Sequence, residues 1–188
     1  MSGEAPEDTA GSGRRPGLSG IPGRTGRIAV MFDLNRAAHC RGVAILMRRL
    51  APALGLDADR MTLLGWIHDL GYLTGRADTH APDLGRLLEA EGYAYAGAAG
   101  RHGTDRIDYD DPADVLLNIA DMSVDGAGLL VSFDERVRDV ADRWGAAHPR
   151  VDACTRVIRR LEATDGWARV APLIRRMPEY RRGVPLEG

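Results

Sequence analysis

Hydrophobic residues recur every three to four positions along most of the chain from Ile28 onward, which is the spacing of one face of an α-helix. The first such run ends at Leu50 and begins near Asp33 or Asn35, either of which suits a helix cap. Later runs predict further helices over 57–72, 82–91, 93–102, 111–123, 134–144, 150–163 and 166–176. Strand-like alternation is scarce, and Ala, Leu and Arg outnumber Phe and Trp. We therefore predict an all-α fold, a single bundle of about six to eight helices.

Composition divides the chain into a short first segment and one domain. Residues 1–27 are rich in Gly, Pro, Ser, Glu and Arg and hold almost no large apolar side chains, so they cannot bury enough surface to become ordered by themselves. The chain has 188 residues, of which 44% are hydrophobic, and this is the size of one domain with a full core. We predict a flexible tail over 1–27 and one domain over 28–188, whose last helices form a C-terminal extension.

Charge and cysteine usage exclude several classes of function. The formal net charge is -2, without the basic excess that binding to a nucleic-acid duplex needs. All 25 basic residues are Arg, which excludes Schiff-base chemistry and a P-loop lysine. Cys40 and Cys154 lack the spacing of a thiolate zinc site or a disulfide framework. No apolar run approaches the roughly 18–20 residues that cross a bilayer, and no signal peptide is recognisable. We predict a cytoplasmic protein without a membrane partner.

Four of the five histidines fall on the apolar faces of predicted helices. His39 shares a face with Val43 and Leu46, His68 with Met61 and Leu64, His80 with Leu84 and Leu87, and His102 with Tyr95, Ala98 and Ala99. One inward histidine by itself is more often a core residue than a ligand, but four together favour a ligand role. Their spacing excludes two histidines one turn apart on a single helix with a Glu between them, so the ligands would come from separate helices. The fifth, His148, is predicted to be a surface residue.

Two aspartates interrupt apolar segments. Asp69 follows His68 in Trp66-Ile67-His68-Asp69-Leu70-Gly71, and Asp121 lies in the nearly continuous apolar run from Val115 to Met122. A buried carboxylate needs a cation or a dense shell of hydrogen bonds. We therefore predict a metal site between the central helices.

These residues resemble the H…HD…D signature of the HD-domain superfamily of metal-dependent phosphohydrolases. The resemblance rests on His39, His68-Asp69 and Asp121, and it covers roughly residues 33–145. It extends to two histidines of the members that hold two metals: His80 begins an H-x-x-x-x-G pattern, and His102 precedes Gly103-Thr104.

The resemblance implies one or two divalent transition metals per chain. His39, His68, Asp69 and Asp121 would bind the first metal; Asp69, His80 and His102 would bind the second and act in catalysis, with Asp69 as the bridge. A mixed imidazole and carboxylate set without thiolate suits iron or manganese, and also cobalt or zinc. Such a centre activates water for the hydrolysis of a phosphate ester. The substrate implied is a small anionic phosphorylated molecule, with a nucleotide or nucleoside phosphate as the expected class.

Four residues are candidates for substrate binding. Many family members carry a lysine after the His-Asp motif where this chain has Tyr72, so the phosphate contact is expected from arginines instead. Arg76 follows the His-Asp pair and Arg101 precedes His102, and either guanidinium group suits a phosphate. Arg101 also stands where close relatives often have another histidine. Asn118 lies one turn before Asp121 and suits a hydrogen bond to a ligand or to the substrate.

Two other functions are compatible with the ligand set. A minority of HD-type proteins with six such ligands resemble mixed-valent di-iron oxygenases, which activate O₂ instead of water. A metal- or nucleotide-binding module with a regulatory role is the third hypothesis, although a purely structural site would not need six ligands from separate helices. A homodimer is possible through apolar residues such as Val157, Ile158 and Leu161, whose more common use is packing within the domain.

Overall fold

The structure, a computed structural model, describes residues 34–74 and 78–186. Within these residues it has nine α-helices, two 3-10 helices and no β-strand, so the predicted all-α class is confirmed. The predicted tail over 1–27, the cap at Asp33 and the candidate Arg76 lie outside the described residues. None of the described helices is long and apolar enough to cross a membrane.

The helices follow one another with short connections. They are α1 (Leu34–Leu50), α2 (Ala58–Ile67), α3 (His80–Ala90), α4 (Ala96–Arg101), α5 (Pro112–Met122), α6 (Phe133–Trp144), α7 (Pro149–Glu162), α8 (Asp165–Arg176) and α9 (Pro178–Arg182). The 3-10 helices span Ala51–Leu54 and Leu70–Thr74. The prediction of one helix over 57–72 is wrong in its second part, because α2 ends at Ile67 and the chain continues as a 3-10 helix. The pattern over 93–102 also overstates α4, which begins only at Ala96.

Helix α5 is the centre of the bundle, as its apolar sequence predicts. Asp111 caps it by accepting a hydrogen bond from the Ala113 amide, and Pro112 occupies its first turn. Every residue from Ala113 to Met122 is buried, and α1, α2, α4, α7 and α8 pack around the helix. A carboxylate or amide on α5 is therefore inside the protein wherever it points.

Two helix pairs make unusually close contacts through glycine. A Cβ atom added at Gly65 of α2 would lie 2.6 Å from the Ala44 Cα of α1, and one added at Gly85 of α3 would lie 2.6 Å from the Gly100 Cα of α4. Only glycine permits these backbone approaches. The first pair carries His39 and His68, and the second carries His80 and His102. Close packing thus brings the four histidines together from separate helices.

The buried stripe of α3 differs from the predicted one. It runs through Ala81, Leu84 and Gly85, with Leu88 partly buried, whereas Leu87 is 59% exposed. The prediction that Leu87 faces inward with His80 is wrong, because α4 packs on a face rotated by about one residue. His80 consequently lies at the edge of the buried stripe and is partly exposed.

The C-terminal helices cover α5 from the other side. Val157, Ile158 and Leu161 of α7 are buried in the core of this chain. They therefore pack within the domain. His148, predicted at the surface, is partly exposed and caps α7 by accepting a hydrogen bond from the Arg150 amide.

Candidate metal centre

Three buried histidines have one ring nitrogen bonded to a backbone carbonyl. The Nδ1 atoms of His39, His68 and His102 lie 3.0, 2.7 and 2.7 Å from the carbonyl oxygens of Asp125, Gly65 and Ala99, respectively. A carbonyl oxygen only accepts, so Nδ1 donates the proton and a neutral ring keeps a lone pair on Nε2. Outer hydrogen bonds of this kind are typical of metal-binding histidines.

The Nε2 atoms converge on two buried carboxylates. The His39 Nε2 lies 3.1 Å from Asp121 Oδ1. Asp69 Oδ1 lies 3.4 Å from the Nε2 of His102, 3.6 Å from that of His80 and 3.7 Å from that of His68. These six residues, the ligand cluster below, therefore enclose one space.

The ligand cluster divides into two groups of three. Potential ligand atoms of His39, His68 and Asp121 lie within 4.8 Å of one another, and so do those of Asp69, His80 and His102. All six residues that the sequence predicts as ligands are thus brought together, in two sets that match the two implied metals except that Asp69 groups with the second.

The chemistry of the cluster fits a divalent cation. The His68 Nε2 is buried and has no hydrogen-bond partner among the described residues, and leaving such an atom unsatisfied costs about 1–3 kcal/mol. The His39 Nε2 lies 3.1 Å from Asp121 Oδ1, so a cation between these two atoms would have both as ligands. A cation bound by these atoms would also satisfy the His68 Nε2. His39, His68 and Asp121 would hold one metal, and Asp69, His80 and His102 a second.

The pKa shifts of His68, Asp69 and Asp121 also suit metal binding. Burial lowers the pKa of His68 to about 4, so its imidazole is neutral at pH 7. Burial alone would raise the pKa of both carboxyl groups, but their neighbours outweigh it. His39 and Arg136 hold the pKa of Asp121 well below its usual range, and the surrounding imidazoles of His68 and His102 do the same for Asp69. The pKa of His102 shifts the other way, because the hydrogen bond and the charge of Asp69 outweigh burial and raise it. Neutral imidazoles and ionised carboxylates are the forms that bind metal, so the shifts of His68, Asp69 and Asp121 favour metal binding.

Sequence reasoning missed three residues beside the cluster. Cys40 is buried next to His68 and Asp69, and burial raises the pKa of its thiol to about 12. The guanidinium group of Arg36 hydrogen-bonds Asp69 Oδ2. Arg136 of α6 is 7% exposed, and its Nη2 lies 3.2 Å from Asp121 Oδ1. Arg36 had a detectable signal, since it precedes His39 by three residues on α1; Arg136 lies in a polar segment whose burial depends on the fold.

The candidate substrate residues occupy different places. The Tyr72 ring stacks on the His80 ring with centroids 4.0 Å apart, and the Arg36 Cζ lies 3.8 Å from the Tyr72 centroid. Arg101 points elsewhere: its Nε lies 2.7 Å from Asp114 Oδ2. Asn118 is fully buried, where it accepts a hydrogen bond of 2.8 Å from the Gly103 amide.

A cavity of about 710 Å³ opens over the ligand cluster. Its volume lies within the range of about 300–1,000 Å³ typical of small-molecule sites. Tyr72 lines it, whereas Arg101 and Asn118 are not among its lining residues. Residues of α6 and α7, from Arg136 to Val157, line another part of the cavity, which meets the cluster where Arg136 contacts Asp121 and Arg150 hydrogen-bonds Tyr72. A smaller cavity of about 180 Å³, next to Phe133 and Trp167, is lined by none of the six cluster residues.

Histidines and aspartates from separate helices of this all-α domain form a site of the kind that binds metal. The family model of the HD domain matches residues 36–124, just under half of the chain. The match confirms the family resemblance of this segment to the HD domain, a metal-dependent hydrolase-type domain. HD domains bind divalent metals, and the ligand cluster of this segment could hold a metal. The match contains the whole ligand cluster and ends before α6. The comparisons with curated proteins and with solved structures gave no match.

Proposed function

We propose that this protein hydrolyses a phosphate ester of a small molecule, with a nucleotide or nucleoside phosphate as the expected substrate class. The observation that carries the proposal is the cavity, which joins a cluster of metal-binding type to arginine side chains. When bound, a divalent metal lowers the pKa of water and polarises phosphoryl oxygens. In the reaction the oxygen of water bonds to phosphorus and the ester P–O bond breaks; one proton of the water goes to the leaving oxygen, which departs as the alcohol, and the other stays with the phosphate.

The charges of the cavity support an anionic substrate. Arg36 and Arg136 hydrogen-bond the carboxylates of Asp69 and Asp121, so two guanidinium groups lie beside the ligand cluster. Metal binding adds positive charge at the same place. An anionic group entering the cavity is therefore attracted toward the cluster.

The contacts of Tyr72 support a role for this residue in positioning its neighbours near the reacting group. It stacks between the His80 ring and the Arg36 guanidinium group, and it lies where many relatives have a lysine. Stacking holds both neighbours in fixed orientations. We propose that Arg36, held in this way, replaces that lysine in attracting the phosphate, with Tyr72 as the residue that orients it.

Metal analysis and a phosphate-release screen test the proposal. The protein is purified without oxygen, its metals are measured, and nucleotides and simple phosphomonoesters are offered in the presence of iron, manganese, cobalt or zinc. We expect one or two metals per chain and phosphate release from at least one substrate. Two iron atoms per chain, no phosphate release and O₂ uptake with an organic phosphonate or polyol would overturn hydrolysis in favour of oxygenase chemistry. Metal or nucleotide binding without either reaction would favour the third hypothesis, a metal- or nucleotide-binding module with a regulatory role.

A further inference from the structure

The part of the cavity that α6 and α7 line carries charge and an aromatic ring to which the proposed hydrolysis assigns no role. Arg143 and Trp144 end α6, and Arg150 lies in the first turn of α7; all three line the cavity. We call these three residues the arginine wall. The wall lies outside the matched HD domain, so it belongs to this chain's extension.

Contacts with neighbouring side chains hold the two arginines of the wall in place. The Arg150 Cζ lies 4.2 Å from the centroid of the Trp144 ring, and the Arg150 side chain also hydrogen-bonds that of Tyr72. Arg143 is held from its own helix, with Nη2 2.7 Å from Asp139 Oδ2. Trp144 is 45% exposed, and large apolar side chains at the mouth of a cavity are typical of ligand sites.

Charge distribution points to an anion at this wall. The cavity is lined by four arginines and three aspartates, and two of these aspartates, Asp69 and Asp121, belong to the ligand cluster. Arg36 and Arg136 already hydrogen-bond those two carboxylates. The other two lining arginines lie on the wall, and one lining aspartate, Asp78, remains.

The size of the cavity leaves room for a second group. A water molecule occupies about 30 Å³ in the liquid, so a cavity of about 710 Å³ holds far more than one phosphate at the ligand cluster. Two guanidinium groups match a phosphate, which carries about -1.5 to -2 charges at pH 7, better than a carboxylate with one.

We propose that the arginine wall binds a second phosphate group of the substrate, so that the substrate class is a small bisphosphorylated molecule. One phosphate reaches the ligand cluster and is hydrolysed, while Arg143 and Arg150 bind the other, which is retained in the product. This inference rests on the proposed hydrolysis for its kinetic test but not for its binding test.

The binding test uses inorganic phosphate and chelator-treated protein. Trp144 contacts Arg150, so its fluorescence is expected to change as phosphate is titrated, and calorimetry gives the dissociation constant. Arg150→Gln and Arg143→Gln should each weaken phosphate binding about tenfold or more, because each removes charged hydrogen bonds. The matched control is Arg138→Gln, which removes an exposed charge from the same helix, α6, and should leave binding unchanged. If all three variants weaken phosphate binding equally, or if none does, the proposal that the arginine wall binds phosphate is overturned.

The kinetic test compares substrates that differ by one phosphate. Adenosine 5′-monophosphate is compared with adenosine 3′,5′-bisphosphate, and fructose 6-phosphate with fructose 1,6-bisphosphate. Arg143→Gln should raise KM about tenfold or more for a bisphosphate and much less for the monophosphate, because Arg143 has no contact with Tyr72 among the described residues. Equal losses for both members of a pair would overturn the inference while leaving hydrolysis intact. If phosphate binding depends on Arg150 but no substrate is hydrolysed, the proposed phosphate site at the wall is supported and the proposed function is overturned.

Discussion

The two sides of the cavity are built in different ways. The ligand cluster lies on α1 to α5 within the HD-domain match, is largely buried, and has three of its rings held by backbone carbonyls. The arginine wall lies on α6 and α7, is more exposed, and is held by contacts between side chains. Backbone contacts keep their geometry when a neighbouring side chain changes, whereas side-chain contacts do not. The geometry of the cluster is therefore expected to tolerate changes in neighbouring side chains better than that of the wall.

The largest expected effect follows from removing the central carboxylate. Asp69→Ala deletes the oxygen that lies within 3.7 Å of three imidazole nitrogens. We expect loss of bound metal together with a fall in hydrolysis of about a thousandfold or more, since the metal supplies the activated water. Elemental analysis and phosphate-release assays measure both. Asp59→Asn is the control, because that side chain is 83% exposed on α2. An Asp69→Ala protein that keeps metal and activity would remove Asp69 from the site.

Gly65→Ala tests how close packing assembles the cluster. The added Cβ would lie 2.6 Å from the Ala44 Cα, and backbone cannot move aside as a side chain can. Separating α1 from α2 should lower the free energy of unfolding by about 1–3 kcal/mol and weaken metal binding by His39 and His68. Thermal unfolding and metal titration measure these effects. Gly126→Ala is the control for stability, because a Cβ there meets nothing within 4 Å. Equal melting temperatures for the two variants would show that the close approach of Gly65 and Ala44 does not determine the stability of the fold.

Arg101→Gln separates a structural arginine from those of the wall. Its partner Asp114 is fully buried, so removal of the guanidinium group should cost about 1–2 kcal/mol of stability. We expect KM to stay unchanged, since Arg101 does not line the cavity. Exposed Arg106 provides the matched control, as Arg106→Gln should change neither stability nor KM. A raised KM in Arg101→Gln at unchanged stability would restore the role in substrate binding that the sequence predicts.

Trp144→Leu has the smallest expected effect. It removes the stacking contact that orients Arg150 but leaves both wall charges in place, and such contacts at exposed sites contribute about 0.5–1 kcal/mol. Phosphate affinity of the chelator-treated protein, measured by calorimetry, should fall by a few-fold. Trp66→Leu on α2 changes a ring that is 44% exposed and does not line the cavity, so it should have no effect. A tenfold loss in Trp144→Leu would mean that the ring itself contacts the ligand.

The sequence by itself determined the fold class and the membership of the ligand cluster. Helical periodicity reports which face of a helix a residue occupies, so it placed His39, His68 and His102 inward, and an apolar run marked Asp121 as buried on a central helix. These are local properties, readable without knowing which helices are neighbours.

Only the tertiary structure decided which residues meet across helices. Arg136 reaches Asp121 because α6 packs beside α5, Arg101 pairs with Asp114 instead of facing the cavity, and Leu87 is exposed because α4 covers another face of α3. The arginine wall likewise exists only where α6 and α7 line the cavity. Periodicity carries no record of these partners, because contact between helices depends on the close approach of backbones at positions such as Gly65 and Ala44.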